Sequence, residues 1–211
     1  MKPPAPDERS IPVPDRDPLT WGKSGHGGDA RESRDLVRSA LIFYAILGAV
    51  GVIWIELARS PIDWGRLLLG PRPFFAMGLG LAAGLLMVLI SRLLANWRPI
   101  ERLFRQFVAV LGKISPKAAF LLAASSAIGE ELIFRGAAQP WLGLWVTSTL
   151  FAIVHVPLNR HFIAWPIFAF GGGLIMGSCA EVSESLLAPI VAHFTVNWLN
   201  LRAIGRAASP L

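Results

Sequence analysis

The chain of 211 residues is 54% hydrophobic and carries a formal net charge of +6. Soluble domains are roughly 45–50% apolar, so the excess predicts helices buried in a lipid bilayer and argues against a soluble protein. The basic residues lie in short runs between apolar stretches, which is typical of loops beside membrane helices, so no nucleic acid partner is expected.

Residues 1–35 differ in composition from the rest of the chain. They hold six of the sixteen prolines and seven of the fourteen acidic residues. Such a segment does not bury enough apolar surface to fold, so we predict a disordered cytoplasmic tail over 1–35 and a membrane domain over 36–211. Because the tail has no apolar core of the signal-peptide type, the first membrane helix is expected to be an uncleaved anchor.

Six apolar stretches of the membrane domain are predicted to cross the bilayer, for which a helix needs about 20 residues. In chain order they are 39–58, 74–91, 118–139, 141–156, 162–180 and 186–204. The predicted fold is therefore an all-α, polytopic membrane helical bundle with about six transmembrane helices.

Residues 98–114, between the second and third spans, show a different pattern. Apolar residues recur at i, i+3, i+4, i+7, i+8 and i+11 from Ile100 to Leu111, and basic side chains interrupt them. This pattern predicts an interfacial amphipathic helix that lies flat on an anionic membrane surface.

The distribution of basic residues predicts the orientation of the bundle. Six bases lie between the second and third spans, whereas the loop between the fifth and sixth spans holds Glu181 and Glu184 and no base. Cytoplasmic loops are enriched in Lys and Arg, so both termini are predicted to be cytoplasmic, although three arginines in the first loop oppose this. The preference for Arg over Lys suggests a bacterial source and hence the inner membrane of a bacterial cell.

The third span contains three ionisable residues, Glu130, Glu131 and Arg135. Ionisable side chains inside a bilayer cost on the order of a few kcal/mol each and are functional candidates by default. Glu131 and Arg135 are four residues apart and can pair along the helix. Glu130 points about 100° away, so it is free to act as a general base. A structural ion pair would explain Glu131 and Arg135 but not the second carboxylate.

Two other spans carry polar or aromatic pairs with the same four-residue spacing. Phe151 and His155 lie in the fourth span, and His193 and Asn197 lie in the sixth. Taken alone, His155 fits an ordinary interface residue, and the second pair fits an interhelical hydrogen bond. These alternatives stay open for each pair.

Together the three helices offer a site that activates water. A carboxylate takes the proton, an imidazole positions the nucleophile, and His or Asn stabilises the oxyanion of an attacked amide. Alternatively, Glu130, His155 and His193 would hold Zn²⁺ with a bound water. The serine, His-Glu-x-x-His and double-aspartate patterns of other intramembrane proteases do not occur in the spans.

The three groups also match the motifs of a known family. The chain carries Glu-Glu-x-x-x-Arg at 130–135, Phe-x-x-x-His at 151–155 and His-x-x-x-Asn at 193–197. Over about residues 115–204 it resembles the CAAX protease and bacteriocin-processing family, also called glutamic-type intramembrane proteases. No motif residue departs from the family pattern.

The resemblance implies that the membrane domain is an intramembrane peptidase. It implies four catalytic residues, Glu130 and His155 to activate water and His193 and Asn197 to bind the oxyanion. The supporting residues would be Glu131, Arg135 and Phe151. No cofactor is required by the glutamic mechanism, and zinc is the second choice.

The resemblance leaves the substrate open among membrane-anchored, prenylated or otherwise lipidated proteins and peptide precursors. Processing or sorting of C-terminal tails or precursors is favoured over prenyl-CAAX cleavage because the chain is small and of bacterial type. Two functions of other classes stay open: a proton-coupled transporter, since buried Glu and His also form proton relays, and a non-catalytic scaffold or immunity protein.

Overall fold

Eight α-helices follow one another in the computed structural model, which describes residues 26–156 and 164–208, with side chains from residue 34 onward. They are α1 (His26–Arg59), α2 (Trp64–Leu69), α3 (Pro73–Leu93), α4 (Arg98–Leu111), α5 (Pro116–Glu131), α6 (Gln139–Val154), α7 (Ala164–Ser183) and α8 (Leu187–Ala207). A π-helical segment, Leu132–Ala138, joins α5 to α6. The regular structure in the described ranges is all helical, which confirms the predicted all-α fold.

Four helical segments of the described chain are long and apolar enough to cross a membrane, by length and composition. They are Arg34–Arg59, Trp64–Leu93, Pro116–Val154 and Ala164–Ser183. Their outward faces carry large apolar side chains, with Leu57 83% and Phe74 84% exposed. Such a surface is stable against lipid and not against water, so the chain is a multi-pass membrane protein.

The count of six crossings is not established by these four segments. Pro116–Val154 is 39 residues long and contains two of the predicted spans, whereas α8, predicted as the last one, is not among the four. The polar residues His193, Asn197 and Arg202 lower the hydropathy of α8. The membrane bundle is therefore confirmed, and about six crossings stays a prediction.

α8 packs against α3, α4, α5 and α7. Its closest approach is to α3, where small residues let the two backbones meet. A Cβ atom added at Gly80 would clash with the carbonyl oxygen of Ala188, and one added at Gly84 would lie 2.7 Å from Cβ of Thr195. This close packing places the polar residues of α8 inside the bundle.

The helix boundaries differ from the sequence-based ones at α1. Because α1 begins at His26, residues 26–35 of the predicted disordered tail are helical, which corrects that boundary. The first membrane helix begins ahead of its apolar stretch, where residues such as Ala30 and Glu32 favour helical backbone. The rest of the tail, residues 1–25, lies outside the described residues.

The third predicted span also ends differently. After Glu131 the chain passes through the π-helical segment, and the helix breaks only at Gly143, where φ is 73°. The prediction placed the break near Pro140, but Pro140 lies in the first turn of α6, where its missing N–H is tolerated. π-Helical turns are frequent at functional sites, and this one contains Arg135.

α4 is the predicted amphipathic helix. Ile100 is buried while Arg98 and Arg102 are exposed. Its Phe107 ring lies 5.0 Å from the ring of Trp165 in α7, so one face of α4 contacts the bundle. Its position on the membrane surface and the cytoplasmic location of the termini stay predictions.

Candidate active site

The acidic pair lies at the end of α5. Glu130 is 7% exposed and Glu131 is 0% exposed, because α1 and α8 both pack against α5. Consecutive helical residues point in different directions, so the two carboxylates meet different neighbours, as the sequence predicts.

Glu131 is held by two partners. Arg135 Nε donates to its Oε2 at 3.1 Å, and His193 Nδ1 lies 2.8 Å from its Oε1. The side chains of Glu131 and Arg135 have no exposed surface. A buried charge is tolerated only with a well-placed partner, and Arg135 is that partner. The predicted i, i+4 pair is therefore present.

Glu130 faces two imidazole rings. Its Oε2 lies 3.9 Å from His155 Nε2 and 3.9 Å from His193 Nε2. Among the described atoms, this oxygen has no hydrogen-bond partner. Both distances are too long for a direct hydrogen bond, and a water that lies beside each pair of atoms would bridge them. α5, α6 and α8 thus bring three predicted site residues together; with Glu131 and Arg135 they form what we name the Glu130 cluster.

Each histidine is oriented through its Nδ1 atom. His155 Nδ1 lies 2.6 Å from the carbonyl oxygen of Phe151. A carbonyl oxygen only accepts, so Nδ1–H is the donor and Nε2 is left toward Glu130. The contact of His193 Nδ1 with Glu131 likewise turns its Nε2 toward Glu130. Both Nε2 atoms therefore face the same carboxylate oxygen.

Phe151 is the apolar wall of the cluster. Its ring centroid lies 4.5 Å from that of His155 and 6.2 Å from that of His193. The guanidinium carbon of Arg135 lies 5.1 Å from the same centroid, and the Phe134 ring packs edge-on at 5.0 Å. These contacts place Phe151 where a supporting residue is predicted.

Asn197 lies one helical turn after His193 and reaches α5. Its Nδ2 donates to Ser126 Oγ at 3.0 Å, and Ser126 lies four residues before Glu130 on the same helix. The amide nitrogen carries two hydrogens, so a second N–H is available to another acceptor. Sequence reasoning missed Ser126 because a single serine in an apolar helix forms no motif.

Tyr44 of α1 is a second residue that sequence reasoning missed. It is the only tyrosine of the chain, and its side chain hydrogen-bonds to the carboxyl group of Glu130. The sequence signal that could have identified Tyr44 is its spacing from Gly48, Gly51 and Ile55, which lie at i+4, i+7 and i+11 on one helical face.

The zinc alternative stays a prediction. In a tetrahedral site with Zn–ligand distances of about 2.0–2.1 Å, ligand atoms lie roughly 3.4 Å apart, whereas both Nε2 atoms lie 3.9 Å from Oε2 of Glu130. Within the described residues, no group of three or more His, Cys, Asp or Glu side chains is arranged to hold a metal ion. We propose the metal-free mechanism, in which Glu130 and the two histidines act on water directly.

A cavity of about 420 Å³ lies beside Arg135 and Gln139, at the end of the bundle where α1 and α7 terminate. Gln139 Nε2 donates there to the carbonyl oxygen of Gly177 at 3.1 Å and to Glu181 Oε1 at 2.9 Å. Of the Glu130 cluster only Arg135 lines this cavity, so it is distinct from the gap between Glu130 and the histidines.

The fold and the cluster define a multi-pass membrane protein with a carboxylate–imidazole site buried among its helices. Residues 114–199, which contain all three motifs, match the family described as "Type II CAAX prenyl endopeptidase Rce1-like". This segment of the chain is therefore similar to that family, which confirms the resemblance seen in the sequence.

A curated relative from Bacillus subtilis (strain 168), "Uncharacterized protein YpbD", is 33% identical over 73 residues. The match covers 34% of this chain and 37% of the relative, so the chain spans little more than a third of that protein. No solved structure matches the chain.

Proposed function

We propose that the chain is an intramembrane endopeptidase that hydrolyses a peptide bond with a water molecule activated by Glu130 and His155. The match of residues 114–199 to the Rce1-like family supports a CAAX-type protease in general. The observation that carries the mechanism is the convergence of His155 and His193 on one oxygen of Glu130.

Glu130 is the general base of this mechanism. A water beside Glu130 Oε2 and His155 Nε2, which lie 3.9 Å apart, hydrogen-bonds to both atoms. His155 accepts one hydrogen of the water and orients it, because its Nδ1–H is already donated to Phe151. The carboxylate takes the other proton as the water oxygen attacks the carbonyl carbon, and then delivers that proton to the leaving amine.

His193 and Asn197 stabilise the oxyanion. In its doubly protonated form His193 donates Nδ1–H to Glu131 and has Nε2–H available for the oxyanion. Asn197 contributes the Nδ2 hydrogen that Ser126 does not use. Donors fixed in a dry site stabilise developing charge strongly. Glu131 and Arg135 act through His193 by holding its ring in place.

The substrate we propose is a membrane-anchored or lipidated protein, or a peptide precursor, from which the enzyme removes a C-terminal segment. The cluster is buried among helices whose outer faces are apolar, so a substrate held in the bilayer reaches it more readily than a soluble one. We place the enzyme in a bacterial inner membrane with both termini in the cytoplasm, from the distribution of basic residues.

The proposed function is tested by comparing peptide cleavage in liposomes between the wild type and a variant that lacks the Glu130 carboxylate. The probe is a fluorescent farnesylated peptide that ends in a CAAX sequence, chosen because the family is described by that substrate. Glu130→Gln keeps the shape of the side chain and is expected to slow cleavage roughly 10²–10⁴-fold. Glu101→Gln, on the exposed surface of α4, is the matched control and should cleave at the wild-type rate.

Equal turnover by wild type and Glu130→Gln would refute the mechanism. Accumulation of a solute in sealed vesicles without any cleavage would indicate a transporter instead. Full rescue of a deletion phenotype by Glu130→Ala would indicate a non-catalytic scaffold or immunity protein.

A further inference from the structure

α1 presents one face to the Glu130 cluster. Tyr44, Gly48, Gly51 and Ile55 share this face, and Ile55 is 0% exposed. Large apolar residues cover the other faces of α1, where Phe43 is 58% exposed. α1 lies outside the segment that matches the family, residues 114–199, so nothing in that comparison assigns a role to its inner face.

The backbones of α1 and α5 meet directly beside Glu130. A Cβ atom added at Gly129 would lie 2.7 Å from the carbonyl oxygen of Tyr44, and one at Gly48 would lie 3.6 Å from Cα of Gly129. One at Gly51 would lie 2.9 Å from the backbone nitrogen of Ile133. Glycines at these points allow the close approach, which fixes the position of Tyr44 relative to the end of α5.

The hydroxyl group of Tyr44 hydrogen-bonds to the Glu130 carboxyl group, while Oε2 of the same group faces the two imidazoles at 3.9 Å. The terminal torsion of a glutamate side chain has only a broad preference. A donor on α1 therefore determines how the carboxyl plane is set against His155 and His193. A phenol donates one hydrogen bond and a carboxylate accepts several, so the Tyr44 contact leaves room for the water.

We propose that Tyr44 is a positioning residue that holds the Glu130 carboxylate with one oxygen facing His155 and His193. This inference rests on the proposed peptidase function and adds α1 to the active site. Tyr44 acts through Glu130 and does not touch the substrate.

The contact itself is tested without any substrate. Because Tyr44 is the only tyrosine of the chain, incorporation of 3-fluorotyrosine gives a single ¹⁹F resonance. We expect Glu130→Gln, which removes the charge beside the ring, to shift this resonance by more than its line width. Glu101→Gln, at an exposed site of α4, is the control and should leave the resonance in place.

The role is tested by Tyr44→Phe with the farnesylated CAAX peptide in liposomes. Loss of a hydrogen bond to a charged group is expected to lower kcat about tenfold with KM unchanged, since the substrate does not contact Tyr44. Thr149→Val removes an exposed hydroxyl that donates to the carbonyl oxygen of Trp145 and should leave kcat unchanged. Thermal unfolding in detergent shows whether Tyr44→Phe remains folded.

The two readouts separate the inference from the proposed function. An unshifted resonance in folded Glu130→Gln, or an unchanged kcat in Tyr44→Phe, would overturn the positioning role while the peptidase function stands. An equal loss of kcat in Thr149→Val would also overturn it, since the effect would then be general. No cleavage by the wild type together with a shifted resonance would overturn the CAAX-type peptidase function, and with it the positioning role of Tyr44 in catalysis.

Discussion

Removing Arg135 tests whether the buried ion pair anchors the site. In Arg135→Met the Glu131 carboxylate loses the donor at 3.1 Å while both positions stay shielded from solvent. Breaking a buried pair from one side costs roughly 3–5 kcal/mol, because Glu131 loses its permanently charged partner and keeps only the contact with His193 Nδ1. The loss of the cation–π contact between the Arg135 guanidinium and the Phe151 ring, at 5.1 Å, adds about 0.5–2 kcal/mol to this cost. We expect the free energy of unfolding to fall by about 4–6 kcal/mol.

The assay is unfolding in mixed detergent micelles followed by tryptophan fluorescence. Wild type, Arg135→Met, Glu131→Gln and the double variant form a double-mutant cycle. The double variant carries neither charge, so it should recover most of the loss and give a coupling energy of at least about 2 kcal/mol. Arg105→Met breaks an exposed pair with Glu101 and should cost only about 0–1 kcal/mol. Additive losses in the cycle would refute the account of the buried pair.

Three further predictions concern packing, the oxyanion donors and metal dependence. Gly129→Ala should lower the free energy of unfolding by about 1–3 kcal/mol, because its Cβ would lie 2.7 Å from the carbonyl oxygen of Tyr44. Gly171→Ala adds a Cβ with nothing within 4 Å and should leave the free energy of unfolding unchanged. An equal loss at both sites would contradict the close packing of α1 against α5. Ser126→Ala removes the acceptor of the Asn197 Nδ2 hydrogen bond and should lower kcat about 2–10-fold. An unchanged kcat would show that the Asn197 side chain is held in position without Ser126. Incubation with 1,10-phenanthroline should leave cleavage of the CAAX peptide unchanged, and loss of activity restored by added zinc would contradict the metal-free mechanism.

The pairs within single helices could be predicted from the sequence. The four-residue spacing of Glu131 and Arg135 fixes a contact along one helix, and that contact is present at 3.1 Å. The meeting of α5, α6 and α8 was also predictable in outline. Each of their polar residues needs a polar neighbour in an apolar medium, so Glu130, His155 and His193 were expected to lie together.

The contacts made by isolated polar residues could not be predicted. Ser126 and Tyr44 lie singly in apolar stretches, and their partners depend on how α8 and α1 pack against α5. The partner of His193 Nδ1 was equally hidden, because Glu131 lies 62 residues away in the chain. Local pattern identifies the helix that carries each group, and only packing shows which atoms meet.

The predicted end of the third span is wrong for a different reason. Pro140 suggests a break, but proline in a first helical turn is tolerated, and the break falls at Gly143. The π-helical turn before it changes the direction of the side chains after Glu131, which a constant period of 3.6 residues does not reproduce.

The most direct test of the central claim is a comparison of protein C-termini in membranes from cells of the source organism. Three strains are compared by quantitative mass spectrometry: the wild type, a strain in which Glu130→Gln replaces the native chain at equal abundance, and a strain with Glu101→Gln. The account predicts that at least one membrane-associated protein or peptide precursor keeps an extended C-terminus only in the Glu130→Gln strain. Identical C-termini in all three strains would contradict the claim that Glu130 activates the water of a membrane peptidase.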